Sequence, residues 1–184
     1  MKRISLIGSR SLCVQPTFLI GTYDENGVAN FAPITWVSVT WGESGFQLVI
    51  SMNGVKKTKQ NLAVRPMLSA NLVSCDMLEM VDYYGHRSGQ DGAKDNHAYD
   101  VSVGTVLDVP TLDASRWVYE CEARNVASVS DTDTYFCLIR NVQVADVGID
   151  VDHIDLTKLE PVIYSGDYHS IGQHLGQIGD FLPT

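Results

Sequence analysis

Asn26-Gly27 closes the turn Asp24-Glu25-Asn26-Gly27 between an apolar run from Thr17 to Tyr23 and a second run from Val28 to Val39. Both residues of such a pair tolerate positive φ, which tight antiparallel turns demand, so the two runs are expected to fold back on one another as strands. Antiparallel β structure is therefore fixed early in the chain. Pro33 interrupts the second run. Having no N–H, it cannot sit in a central ladder, and the backbone at Ala32-Pro33-Ile34 is expected to open out of regular pairing, free to face a ligand.

The remaining pattern continues in the same style. The turn Gly42-Glu43-Ser44-Gly45 leads into a strand from Phe46 to Met52, and Lys56 to Val64 reads as a short helix ended before Pro66. Met67 to Val73 is the next strand, after which Ser74 or Asp76 can cap a helix from Met77 to Tyr84. Met77, Met80, Val81 and Tyr84 share one face of that helix at spacings of three and four, which marks them as core. From Trp117 to Val126 the chain alternates, with Trp117, Tyr119, Cys121 and Ala123 on one side and Glu120, Glu122 and Arg124 on the other, as a half-buried strand does. Asp131-Thr132-Asp133 marks the turn before its partner, Tyr135 to Val144. A short strand at Arg3–Ile7 and a short helix at Ile171–Ile178 are also expected. About six or seven strands joined mostly by hairpins, with two or three short helices between them, suggest a mainly β fold closed as a barrel. No linker or repeat divides the 184 residues, so one domain is expected.

Composition narrows the function classes. An apolar fraction of 45% with 19% charged residues is that of a globular protein, and no apolar run reaches the length of a membrane span. The start, MKRISLIGSRSL, lacks the long apolar stretch of a signal peptide, which leads to the expectation of a cytoplasmic protein. Cys13, Cys75, Cys121 and Cys137 are widely scattered without a CxxC pair, the pattern of thiols in a reducing compartment rather than of a disulfide frame or a zinc site. Thirteen basic residues against twenty-two acidic ones give a net charge of -9, which opposes nucleic-acid binding.

Within this acidic chain, Lys56, Lys57 and Lys59 cluster at a helix start beside Thr58, with Arg65 close behind. Unsatisfied amides and the helix dipole favour an anion at such a place. Together with Pro33 and Trp36, the pattern suits a phosphorylated planar ligand, its ring along the open backbone near Trp36 and its phosphate near Lys57 and Thr58. A strand-edge proline, a solvated lysine face and a barrel-core tryptophan would use the same residues, and both readings stand on sequence alone. The polar, glycine-rich stretch from Gly85 to Asp100 reads as a functional loop; it carries His86, Arg87, Lys94 and His97, but its histidines lack metal-ligand spacing. No GxSxG, P-loop or GxGxxG is present.

The order of four segments resembles the flavin reductase-like FMN-binding split barrel family, which includes flavoredoxins. These are ANFAPITWVS (Ala29–Ser38), the strand ending Ile50-Ser51 with the following VKKTKQNL, SGQDGAKD (Ser88–Asp95), and YSGDYHSIGQHLG (Tyr164–Gly176). The resemblance implies a six-stranded antiparallel split β-barrel that forms a homodimer, with one FMN held noncovalently near the interface. It implies that Asn30, Trp36, Thr58 and Lys94 contact the flavin, that the backbone of Ile34 and Thr35 meets the ring, and that Ser51, Lys57 and Asn61 lie near the phosphate and ribityl chain. Tyr168 corresponds to an aromatic position near the flavin. Val39-Thr40-Trp41-Gly42 stands where the family often has a proline pair, and Asn96 stands where an aromatic follows the loop's charged residues.

Three functions follow as expectations. The first is an FMN-dependent oxidoreductase taking hydride from NAD(P)H and passing electrons to flavin, ferric iron or a protein acceptor, with no catalytic acid, base or metal required of the protein. The second is a noncatalytic FMN electron carrier. The third is a barrel that has lost its cofactor and serves as a binding module.

Overall fold

The computed structural model describes residues 13–90, 94, 99–146, 154–177 and 180; the strand expected at Arg3–Ile7 lies outside them. The elements run β1 (Gln15–Pro16), β2 (Phe18–Tyr23), β3 (Ala29–Ile34), β4 (Val37–Gly42), β5 (Gly45–Asn53), α1 (Lys57–Val64), β6 (Met67–Leu72) and α2 (Leu78–Gly85). They continue with β7 (Val101–Val103), β8 (Pro110–Leu112), β9 (Trp117–Val129), β10 (Thr132–Val144), β11 (Val162–Tyr164) and β12 (Tyr168–Ser170). Seven strands form the main sheet in the order β3-β2-β6-β9-β10-β5-β4, and every pairing in it is antiparallel.

The turn at Asn26-Gly27 makes the expected hairpin. Gly27 adopts φ 79°, while Asp24 Oδ1 accepts from the N–H groups of Asn26 and Val28, each at 2.9 Å. β2 and β3 then pair from Tyr23↔Ala29 to Phe18↔Ile34.

The single strand expected over 28–39 is two strands instead. Pro33 keeps its register opposite Leu19, because β3 has a strand neighbour on one side only and a missing N–H on the other side costs the ladder nothing. The break falls two residues later, at Thr35-Trp36, where Val37 N–H donates to Thr35 O (2.9 Å) and Ser51 N–H donates to Trp36 O (3.0 Å). β3 and β4 are the two ends of the sheet, yet only these two residues separate them in the chain. The sheet therefore closes on itself through this corner as a split barrel, six-stranded when β3 and β4 are counted as one bent strand.

The barrel interior is packed by Phe18, Ile20, Ile34, Val37, Leu48, Ile50, Met52, Leu68, Cys121, Tyr135 and Cys137, with Leu62 of α1 closing one end. Burial pushes the Cys137 thiol up to about 12, so it remains a protonated core residue. A second cluster lies outside the barrel, where Met77, Met80, Val81 and Tyr84 pack on Leu19, Phe31 and Leu112. Those four are the face expected from their spacing, although Met77 belongs to a 3-10 turn (Cys75–Met77) leading into α2. Among the described residues no helix is long and apolar enough to cross a membrane.

Two further expectations are corrected. Glu120 does not face solvent: it is fully buried, because the chain between β7 and β8 folds over the outer face of β9 and is tied to its carboxylate. Residues 171–177 carry no helix. The polar segment before them forms the β11–β12 hairpin with Gly166 at φ 87°, and Leu175 in the 171–177 stretch is 76% exposed.

Candidate functional site

α1 starts without a side-chain cap. Its N-cap, Lys56, is extended (φ -139°, ψ 141°), and the first turn carries no acidic residue. The amide N–H groups of a first turn have no partner inside the helix, so this end is electropositive before any lysine is counted. Val55, Lys56, Lys57 and Thr58 line one wall of a cleft of about 350 Å³; Asn30, Ala32 and Pro33 from the open edge of β3 form another. Tyr84 and Gly85 at the end of α2, the segment from His86 to Gln90, and Lys94 complete it.

Pro33 and Lys56 also line a neighbouring slot of about 210 Å³, whose other walls are Ile34, Thr35, Trp36, Ser51, Met52 and Asn53. At the opposite end a smaller hollow of about 140 Å³ shares Asn30, Lys57, Gly89 and Gln90 with the cleft and adds Asp24. The three lie in series along β3, α1 and the barrel corner.

Asn30 sits at the centre of this run, 5% exposed. Its Nδ2 donates to Thr58 Oγ1 at 3.1 Å, while its Oδ1 has no hydrogen-bond partner among the described residues. A buried acceptor left in this condition costs free energy that a ligand donor would return. Gly89 presses on the same group: a Cβ there would collide with Asn30 Oδ1 and fall 3.1 Å from Lys57 Cβ, so any side chain at this position would have to displace the Asn30 amide. Lys94, also 5% exposed, donates to Phe31 O at 2.8 Å and lies 5.8 Å from the centre of the Tyr84 ring. Burial pushes the Tyr84 phenol up, so it stays neutral in the cleft wall.

The lysines divide their work. Lys59 is turned to the β9–β10 turn, 2.6 Å from Asp133 Oδ2 and 3.1 Å from Asp131 O. Lys57 makes a longer ion pair with Asp24, 3.4 Å. Burial acts to raise the Asp24 carboxyl, but the N–H groups of Val28 and Asn26 together with Lys57 hold it below its ordinary value.

Of the residues expected from sequence, the structure gathers Asn30, Lys57, Thr58 and Lys94 in the cleft and Ile34, Thr35, Trp36 and Ser51 in the adjoining slot. Trp36 is 42% exposed, which excludes the barrel-core reading. Asn61 and Tyr168 line neither cavity. Asn61 is on the buried face of α1, donating to Thr22 Oγ1 at 3.0 Å, and Tyr168 on β12 donates to Asp82 Oδ1 at 3.5 Å. Sequence reasoning missed Tyr84 as a wall, because a helix face that packs a core can also floor a cleft at its last turn. It also missed Asp24 and Gly89, although a glycine within a polar loop was a usable signal of close approach. His97 and residues 95–96 lie outside the described residues.

The fold has clear parallels. A flavoredoxin from Methanosarcina acetivorans superposes with a TM-score of 0.87 at 19% identity, over 98% of this chain and 97% of that one. The flavoredoxin of Desulfovibrio vulgaris (Miyazaki F) gives 0.86 at 22% identity, over 98% and 99%. An FMN-binding protein from Thermus thermophilus, with p-hydroxybenzaldehyde bound, gives 0.77 at 19% identity over 96% and 97%. No curated protein matches the chain. At sequence level, residues 10–171 match the family described as the flavin reductase like domain, and with most of its length covered the chain belongs to that family.

Proposed function

We propose that the protein is an FMN-dependent oxidoreductase that accepts hydride from NAD(P)H and delivers electrons to a flavin, ferric or protein acceptor. The observation that carries this reading is the buried Asn30 Oδ1, which has no hydrogen-bond partner among the described residues, beside an uncapped, lysine-bearing helix start, at the junction of a cleft with a slot walled by Trp36. An anionic tail, a polyol and a flat ring need those features in that order. Bound FMN would supply the redox chemistry itself, taking hydride from the nicotinamide and releasing electrons to the acceptor.

The chain's own residues then bind and orient. Lys57, Thr58 and the first-turn amides of α1 hold the phosphate, and Asn30 Oδ1 accepts from a ribityl hydroxyl. Lys94 and Ser51 offer polar contacts to the ribityl chain or ring oxygens, the backbone of Ile34 and Thr35 borders the ring, and Trp36 shields it from water. Asn61 supports the helix start through Thr22, and Tyr168 lies in neither cavity.

We further propose a homodimer in the cytoplasm. Val39, Trp41 and Phe46 continue the inner face of the β4–β5 hairpin beyond the barrel and are 53%, 70% and 59% exposed, an apolar face suited to a second copy. A monomer in sedimentation at micromolar concentration would remove this part.

The reading is tested by the visible spectrum of protein purified without added cofactor, followed by NADH and then NADPH without air. Bleaching of the flavin band supports the reductase. Yellow protein that neither nicotinamide bleaches is the electron carrier. Colourless protein that takes up no FMN leaves a binding module.

A further inference from the structure

The cleft, the slot and the small hollow beside them are lined by one acidic residue among the described residues, and that residue is Asp24. A carboxylate at the phosphate end of an anion site opposes the ligand. Its placement is nevertheless tightly determined. Asp24 Oδ1 is fixed by the N–H groups of Asn26 and Val28, each 2.9 Å away, so the hairpin turn aims Oδ2 at Lys57. The Asp24 side chain is 14% exposed and that of Lys57 29%, which limits screening by water.

The two ion pairs of α1 differ in the way this placement requires. Lys59 meets Asp133 at 2.6 Å and also donates to Asp131 O, which commits two of its three donors away from the cleft. Lys57 meets Asp24 at 3.4 Å, longer than a charge-assisted hydrogen bond at its best, and it lines the cleft while Lys59 does not. Lys57 can therefore be shared between a fixed internal carboxylate and an incoming anion.

We propose that Asp24 is a built-in competitor for the ligand's phosphate, sharing Lys57 with it so that the flavin nucleotide exchanges with solution instead of being held permanently. This rests on the reading of the cleft as a phosphate site. Asp24 contacts no reacting atom in this account; it sets affinity through Lys57 and through its own charge.

Asp24→Asn is the clean probe, because the amide oxygen keeps the two turn hydrogen bonds while the charge is lost. FMN affinity of the variant, measured by quenching of flavin fluorescence, should rise about tenfold, chiefly through slower dissociation in stopped flow. Thermal stabilisation by inorganic phosphate should rise as well, at unchanged folding in its absence. FMN affinity that is unchanged or weaker in the variant, with the wild type binding FMN, overturns the proposal and leaves the FMN reading intact. A wild type that takes up no FMN, with a variant that gains phosphate binding, overturns the FMN reading and leaves Asp24 as an anion competitor. Neither ligand binding to either protein overturns both.

Discussion

Glu120 on β9 and Asn30 on β3 are both polar side chains buried in the walls of one barrel, and they are treated in opposite ways. The Glu120 carboxylate receives six hydrogen bonds: from the N–H groups of Thr105, Val106 and Leu107, the Thr105 hydroxyl, and the amides of Asn141 and Gln143. Among the described residues the Asn30 side chain makes one bond, to Thr58, and leaves its carbonyl oxygen with none. A saturated buried group holds structure together, here a surface loop to the sheet. An unsaturated one beside a cavity is a cost that a bound ligand's donor would offset.

Replacing Glu120 offers the largest expected effect. Glu120→Ala strands its donors and should cost on the order of 3 kcal/mol or more of stability, read as a lower midpoint in urea; a midpoint unchanged from wild type would break the contrast at its structural end. The same carboxylate predicts a pH dependence. Burial acts to raise Glu120, but the bonds from Leu107, Asn141, Val106 and Gln143 outweigh it and hold the group at about 2, against an ordinary 4.5. Its stabilising contribution is then complete above about 4.5 and lost as pH falls toward 2. Glu120→Gln should flatten the stability profile across that window.

The next effect belongs to the proposed phosphate end. Lys57→Ala combined with Thr58→Ala removes charge-assisted and hydroxyl contacts and should weaken FMN by about 2 kcal/mol or more, roughly thirtyfold. An unchanged Kd in equilibrium dialysis would detach the helix start from the ligand. Asn30→Ala sharpens the comparison directly: FMN affinity should fall about tenfold while stability moves by ~1 kcal/mol or less, since one bond is lost and one buried acceptor is relieved. If Asn30→Ala instead unfolded the protein as Glu120→Ala does, the two groups would be alike. The smallest change is Gly89→Ala, whose methyl would push Asn30 Oδ1 aside; we expect a fewfold loss of FMN affinity with the melting temperature within a few degrees of wild type.

Much of this site was legible before folding was considered. The lysines at a helix start were informative because they concentrate positive charge in a chain of net charge -9, and Asn26-Gly27 dictated its hairpin through backbone conformation alone. The flavin reductase-like family was also readable from four segments in order. Asn61 and Tyr168 show where such reading stops. Asn61 lies on α1 beside Lys57 and Thr58, but it turns inward to Thr22 and Tyr168 turns to Asp82, because direction depends on the partner that packing supplies. Glu120 was misassigned for the same reason: alternation says which face a strand residue takes, and a loop from elsewhere decided whether that face met water.

By itself, the sequence determined what depends on neighbours in the chain: the turns with their positive φ, the strand and helix periods, and the clustering of cations ahead of α1. Only the tertiary structure decided that β3 and β4 close the barrel through Thr35-Trp36, that Lys59 goes to Asp133 while Lys57 stays at the cleft, and that Asn30 Oδ1 finds no donor among the described residues. Local rules fix conformation over a few residues. Which charges neutralise each other, and which buried group is left unsatisfied, depends on segments tens of residues apart meeting in space.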